Sequence, residues 1–245
     1  MRDVIYGRNP VREALESSKV PLEKIYFQEG SPDEVAVRLR KLAQEKKVPF
    51  TFVTKSRLDG LTGRGNHQGV VAKTAARDYM DFSRLLSLPL EKKEPAFFLA
   101  LFQVQDPHNL GALLRTGECA GLHGIIIPRA RSVGLTATVS KVSSGADSYV
   151  PVAKVSNLSE SLALMKREEI AVIGAHSHEG TDYRLADYRR PLCLVLGGEG
   201  RGLDGRILSL CDTVVRIPLK GMISSLNVSV AGGLLLYEVL RQRSA

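Results

Sequence analysis

Ile217-Pro-Leu-Lys-Gly-Met-Ile-Ser-Ser-Leu-Asn-Val-Ser-Val-Ala231 reads as the end of a strand, a polar loop and the start of a helix. Ser224, Ser225 and Asn227 crowd the helix start, where the first backbone N–H groups lack intrahelical partners. Behind them run Val228, Val230, Ala231, Gly232, Gly233, Leu234, Leu235 and Leu236. Two consecutive glycines weaken a helical pattern by about 1 kcal/mol each relative to alanine. Another backbone or a ligand lying close is the expected offset. On its own the stretch reads equally well as a Ser/Asn cap on an ordinary C-terminal core helix.

Outward from that stretch, strands and helices alternate. Ala96 to Phe102 is a continuous apolar run, which suits a strand buried on both faces of a parallel sheet. Helices are expected over 109–120, 136–142, 158–167, 203–210 and 225–241. Strands are expected over 124–128, 150–154, 171–175, 192–196 and 213–217. This order implies an α/β domain, a parallel sheet with helices on both faces. It occupies residues 94–245.

Residues 1–74 form a separate small α/β unit. Asn9-Pro10 is a good helix start. Strands are expected over 22–28, 50–53 and 70–72, and helices over 33–47 and 55–61. Gly63-Arg-Gly-Asn-His-Gln-Gly69 is a polar turn on a glycine frame. Its Arg64, Asn66, His67 and Gln68 suit RNA phosphates or base edges, and they suit a solvated loop as well. Residues 75–93 read as a linker with a short helix near Phe82 to Leu86.

The chain has 245 residues, 44% hydrophobic and 24% charged, with a net charge of +8. Residues 1–93 carry 18 Lys and Arg against 12 Asp and Glu, so most of the basic excess lies there. A polyanion is the natural partner. No signal peptide and no membrane-spanning stretch is visible, so a cytoplasmic protein with no membrane role is expected. Cys119, Cys193 and Cys211 lack metal-ligand spacing and read as reduced thiols. His176-Ser-His178 is the nearest approach to a ligand pair, and nothing nearby completes it, so no metal is expected.

Ligands of open α/β sheets bind beyond the carboxyl ends of the strands. Three polar clusters fall at such places. The first is Gln105-Asp-Pro-His-Asn109-Leu-Gly111, with Arg115 nearly two helical turns after Asn109 and expected close to the same face. Asn109 as a mere cap and Arg115 as a surface residue fit as well. The second is Leu194-Val-Leu-Gly197-Gly-Glu199-Gly-Arg-Gly202, a strand, glycine loop and helix. It has neither the dinucleotide-binding spacing nor a P-loop lysine. The third is the stretch quoted first.

Together the three clusters resemble the TrmH-type branch of the SPOUT methyltransferases. The likeness rests on Asp106-Pro-His-Asn109-Leu-Gly-Ala-Leu-Leu-Arg115-Thr, on Leu196-Gly-Gly-Glu199-Gly-Arg-Gly202, and on 217–231, in the family's order and over the whole second domain. Tyr6-Gly-Arg-Asn-Pro10 and Asn66-His-Gln-Gly69 resemble the RNA-binding domain, related to a ribosomal protein fold, of ribosomal RNA members. The resemblance implies a deep trefoil knot, a homodimer, S-adenosylmethionine as methyl donor and a ribose 2′-hydroxyl in RNA, ribosomal RNA above all, as acceptor. It implies catalytic roles for Asn109, Arg115, Glu199, Ser225 and Asn227. Leu196, Gly197, Gly198, Ile217, Leu219 and Leu226 would hold the cofactor. Arg8, Arg64, Asn66, His67 and Gln68 would meet RNA. Gly232 and Gly233 would reflect close packing. A transfer RNA ribose methyltransferase is the alternative within the class, and a non-catalytic RNA-binding or ribosome-assembly factor the alternative outside it.

Overall fold

The computed structural model of the chain describes residues 4–17, 22–30, 34–74, 79–198 and 202–244. Glu199 therefore lies outside the described residues, as do Gly200 and Arg201. The chain divides into two units, whose main parts are 1–78 and 79–134 with 138–245.

The first unit contains β1 (Val4–Tyr6), α1 (Arg8–Ser17), β2 (Leu22–Gln28), α2 (Glu34–Glu45), β3 (Phe50–Val53), α3 (Lys55–Thr62) and β4 (Val70–Thr74). The sheet order is β1-β4-β2-β3, with only β2 and β3 parallel. The amphipathic spacing explains the packing. Val11 and Leu15 of α1, and Leu39 and Ala43 of α2, recur at i, i+4 and bury with Ile25 and Phe27, which alternate along β2. Strands β2 and β3 match their expected bounds. The three-residue β1 was not expected from the sequence, since it is too short to show a period.

The second unit opens with α4 (Phe82–Lys92), where a linker to residue 93 was expected. Asp81 caps the helix by accepting from the N–H groups of Ser83 (2.9 Å) and Arg84 (3.2 Å). Leu85 is fully buried, and a Cβ added at Gly124 would stand 2.4 Å from its Cδ1. Eleven residues are thus held by packing, through Pro89 and past the expected end at Leu86.

Next come β5 (Phe97–Phe102), α5 (Pro107–Cys119), β6 (Gly124–Pro128), α6 (Ala137–Val142), β7 (Val152–Val155), α7 (Leu158–Arg167) and β8 (Ala171–Ala175). The short β9 (Thr181–Asp182) precedes β10 (Leu192–Gly197), α8 (Gly205–Leu208), β11 (Thr213–Arg216) and α9 (Val228–Arg243). The sheet order is β7-β6-β5-β10-β8-β11-β9, and every described pairing is parallel. Phe98, Ala100, Ile126, Val172, Cys193 and Val195 form the centre of its core. Burial pushes the Cys193 thiol up, so it stays protonated. No helix among the described residues is long and apolar enough to cross a membrane.

The amino ends of these strands are fastened by the last turn of α9. Arg243 donates through Nε to Tyr188 O (3.0 Å), through Nη1 to Pro95 O (2.9 Å), and through Nη2 to Ala96 O (3.0 Å) and Arg190 O (2.8 Å). Its guanidinium lies 5.2 Å from the Phe97 ring centre. Beside it Gln242 donates to Ala186 O (3.0 Å) and accepts from the N–H of Tyr188 (3.1 Å). His123 is buried at the same end, where its Nδ1 accepts from the N–H of Phe97 (3.2 Å).

Candidate active site

The carboxyl ends of β5, β8, β10 and β11 open on two adjoining cavities. The larger, ≈ 530 Å³, is walled by Ala175 to His178 after β8 and by Leu196, Gly197, Gly198 and Gly202 around the loop after β10. Ile217 and Leu219 follow β11, and Ser224 to Val228 with Ala231 complete the wall from the start of α9. All six residues expected at a cofactor, Leu196, Gly197, Gly198, Ile217, Leu219 and Leu226, line this one cavity. The second, ≈ 520 Å³, is lined by Gln103 to Asp106, Asn109 and Arg131, and shares Gly198, Gly202 and Val228 with the first.

The wall between the two is built from backbone. Gly198 donates to Phe102 O (2.7 Å), and Gly202 donates back to Gly198 O (3.2 Å). Gly198 and Gly202, the described residues on either side of 199–201, are thus held to each other. A Cβ on Gly198 would lie 2.2 Å from Gln103 O, so no larger residue fits without moving the strand ends.

One hydrogen bond joins the outer clusters across 118 positions of sequence. Asn227 Nδ2 donates to Asn109 Oδ1 at 3.0 Å. Asn109 is 4% exposed. The other end of the Asn227 carboxamide caps α9, where Oδ1 accepts from Ser229 N (2.9 Å) and Val230 N (3.4 Å). Helix α9 therefore starts at Val228 rather than at the expected Ser225. Ser225 stays in the loop, exposed and lining the larger cavity.

Arg115 is placed otherwise. It sits on α5 six residues after Asn109, which turns it about 240° around the helix axis rather than onto the same face. It is exposed and lines neither cavity. Gly232 is accounted for: a Cβ there would lie 2.3 Å from Leu113 Cδ2 and 2.9 Å from Leu196 Cδ1. Gly233 is not, since its nearest such contact, Thr116 Cγ2, is an ordinary 3.8 Å.

The expected RNA-facing residues of the first unit divide. His67 is buried, with Nε2 3.0 Å from Asp59 Oδ1 and Nδ1 accepting from Gly69 N (3.0 Å). Both ring nitrogens are thus spent on holding the turn, and His67 is not presented to a ligand. Arg64, Asn66 and Gln68 are exposed. Gln68 Oε1 accepts from Arg8 N (3.1 Å), and Arg8 Nε donates to Gln68 O (3.2 Å), which ties the start of α1 to the polar turn.

Sequence reasoning missed His176 as a cavity residue. Its Nδ1 accepts from Glu179 N at 3.0 Å, so the ring folds back on its own turn. Its place just after β8 was the available signal. Gln103 and Arg131 of the second cavity were missed too, because neither stands in a patterned cluster.

The chain matches the SpoU rRNA Methylase family over residues 96–237, and the RNA 2′-O ribose methyltransferase substrate binding family over residues 4–80. It is 41% identical over 242 residues to a putative TrmH family tRNA/rRNA methyltransferase, YacO, of Bacillus subtilis, covering 99% of this chain and 96% of the relative. Its fold is similar to that of the SpoU methyltransferase AviRb from Streptomyces viridochromogenes, solved in complex with AdoMet. That likeness has a TM-score of 0.70 at 24% identity and covers 99% of this chain and 90% of the other. It is also similar to the A. aeolicus TrmH/SpoU tRNA modifying enzyme, with a TM-score of 0.57 at 29% identity over 66% of this chain and 82% of the other. The second unit, with its two cavities at the carboxyl ends of a parallel sheet, is accordingly the methylase part, and the chain belongs to the SpoU/TrmH family of RNA methyltransferases.

Proposed function

We propose that this methyltransferase uses S-adenosylmethionine to methylate the 2′-hydroxyl of a guanosine in large-subunit ribosomal RNA. The observation that carries the reading is the Asn227–Asn109 hydrogen bond at the place where the two cavities meet. The larger cavity has the size and mixed lining of a small-molecule site. Leu196, Ile217, Leu219 and Leu226 offer apolar surface to an adenine and a thioether chain. The backbone around Gly197 and Gly198 can approach polar atoms closely. When bound there, the donor supplies an electrophilic methyl group on a sulfonium.

The second cavity, polar and adjoining, suits the acceptor ribose. Asn109 and Asn227 hold the two sites in fixed relation, Ser225 shapes the donor cavity, and most of the catalysis comes from that alignment. Arginine is a poor base because its pKa is too high. Arg115 is assigned instead to an RNA phosphate and to the charge that develops on the attacking oxygen.

Arg115 lines neither cavity of its own chain, and a homodimer accounts for that. On α9, Val230 (52%), Leu234 (42%) and Tyr237 (51%) stay exposed at i, i+4 and i+7. Met222 and Ile223 project from the loop before it. A patch of this kind calls for a cover, and a second copy is the cover we assign. Helix α5, with Arg115 on its exposed side, packs against α9. Two copies joined there would bring each Arg115 towards the other's site. Leu234→Glu should then give a monomer by light scattering that binds the donor but transfers no methyl. An active monomer would remove the dimer from the mechanism.

The direct test maps 2′-O-methylation at nucleotide resolution in total RNA from cells with and without the protein. One ribosomal RNA position should lose its mark. Loss confined to transfer RNA would favour the second reading, which the likeness to the A. aeolicus tRNA modifying enzyme supports. That likeness covers only 66% of this chain, whereas the substrate-binding match adds residues 4–80.

A further inference from the structure

A third cavity, ≈ 580 Å³, lies at the carboxyl ends of β6 and β7, on the far side of the second cavity from the donor site. None of the roles above uses it. It is lined by Arg129 after β6, by Lys154 and Ser156 at the end of β7, by Asn157 at the start of α7, and by Tyr79. Lys154 Nζ sits 4.2 Å from the centre of the Tyr79 ring, a cation–π contact that holds the ammonium in place. The backbone closes on that pair: a Cβ at Gly134 would lie 2.6 Å from Tyr79 Oη and 3.1 Å from Lys154 Nζ. Arg129 is exposed at the rim.

Two carboxylates share the cavity, and each accepts hydrogen bonds through one oxygen. Asp81 caps α4, and Glu160 accepts from Asn157 Nδ2 at 2.7 Å. Asn157 is itself spent, with Nδ2 on Glu160 and Oδ1 accepting from Ser159 N (3.1 Å), so the groups that face the cavity for a ligand are the two cations and the Ser156 hydroxyl, beside an aromatic ring. This is the chemistry of a nucleotide site: cations for phosphate, and a ring and a hydroxyl for a base.

The sheet order gives the position a meaning. From β10 to β7 there are three strand spacings, about 14 Å in all. The donor cavity, the second cavity and the third thus follow one another along one edge of the sheet. Arg131 lines the second cavity and Arg129 the third, two residues apart after β6.

We infer that the cavity between Tyr79, Arg129 and Lys154 binds a nucleotide of the substrate RNA that neighbours the methylated one on the same strand. This rests on the RNA methyltransferase reading above. Lys154 and Arg129 take its phosphate, and Tyr79 and Ser156 face its base. The site sets how the strand lies across the sheet edge, so that the acceptor ribose reaches the second cavity.

The test uses full-length protein and ribosomal RNA prepared from cells that lack it. Three quantities are measured for the parent, Arg129→Glu and the double variant Arg129→Glu/Lys154→Gln. These are RNA affinity by filter binding across salt, KM and kcat with labelled S-adenosylmethionine, and donor affinity by calorimetry. The double variant should bind RNA at least tenfold more weakly, with a salt slope shallower by about two and donor affinity within twofold. KM for RNA should rise while kcat stays within threefold. RNA affinity and KM within twofold of the parent in both variants would overturn the inference. Arg129 is exposed, so Arg129→Glu alone still reads the site if the double variant unfolds. A parent that binds RNA but transfers no methyl sinks the proposed function, and the filter-binding difference still reads the groove.

Discussion

The two ends of the parallel sheet are built from the same strands and do opposite things with their polar groups. At the amino ends, polar side chains are consumed. Arg243 spends its guanidinium on four carbonyls, Gln242 joins the segment before β10, and His123 accepts from the first residue of β5. At the carboxyl ends, Ser224, Ser225 and Asn227 stand exposed around a cavity, and glycines bring bare backbone to its wall. Bonds from Arg243, Gln242 and His123 to the backbone hold the fold, although the buried Tyr188 hydroxyl there has no partner among the described residues, and groups left open to a cavity are what a ligand can use. Stability and function are therefore separated along the strand direction, and mutations can tell them apart.

The largest effect should come from Arg243→Ala. It strands four carbonyls and should cost about 3 kcal/mol. For a chain of this size that lowers the melting temperature by about 6–12 °C. Donor affinity measured in the cold, where the variant is folded, should stay within twofold. A weakened donor site in a folded Arg243→Ala protein would break the separation.

Next is Gly232→Ala, in the second turn of α9. The new methyl group would drive into Leu113 and Leu196, costing about 1–2 kcal/mol after the gain in helix propensity. Gly233→Ala should go the other way and stabilise by up to about 1 kcal/mol. Chemical denaturation of both variants checks the pair, and equal shifts would show that the packing at Gly232 has been misread.

At the carboxyl end, Asn227→Ala removes a cap worth about 1 kcal/mol. Its larger signature should be functional, a donor affinity weaker by tenfold or more in calorimetry. A variant that lost stability and kept full donor affinity would make Asn227 structural only.

The smallest effect is with pH. Burial holds the His123 pKa below its ordinary value, Lys92 adds to this, and the Glu94 carboxylate 3.2 Å from Nε2 only partly opposes it. The folded chain then binds fewer protons at this site than the unfolded one. Its stability is complete above the unfolded pKa near 6.5 and declines as pH falls from there towards the folded value. Replacing His123 by Gln should flatten the stability curve between about pH 7 and 5. An unchanged slope would assign that dependence elsewhere.

Much of this was legible because the strands are short and apolar throughout. Runs such as 97–102 and 192–197 bury on both faces, and they marked the sheet and so its carboxyl ends. The six cavity residues came from the family resemblance of the clusters near those ends. The reach of α4 was not legible, because Pro89 looks like a stop, whereas it is buried and the helix packs on the core through Phe82, Leu85, Leu86 and Leu88. Arg243 was not legible either, since an arginine at a chain end reads as a solvated charge. Arg115 was placed on the Asn109 face by counting turns loosely, and six residues come closer to one and two-thirds turns.

The carboxamide of Asn227 holds two posts at once, since its oxygen caps the start of α9 and its nitrogen reaches Asn109. An aspartate there would keep the first and lose the second, setting an acceptor against an acceptor. Position 227 is therefore not free to drift while 109 stays asparagine. Deamidation of this one side chain, a change of a single atom, should loosen the donor loop from α5 without unwinding the helix it begins.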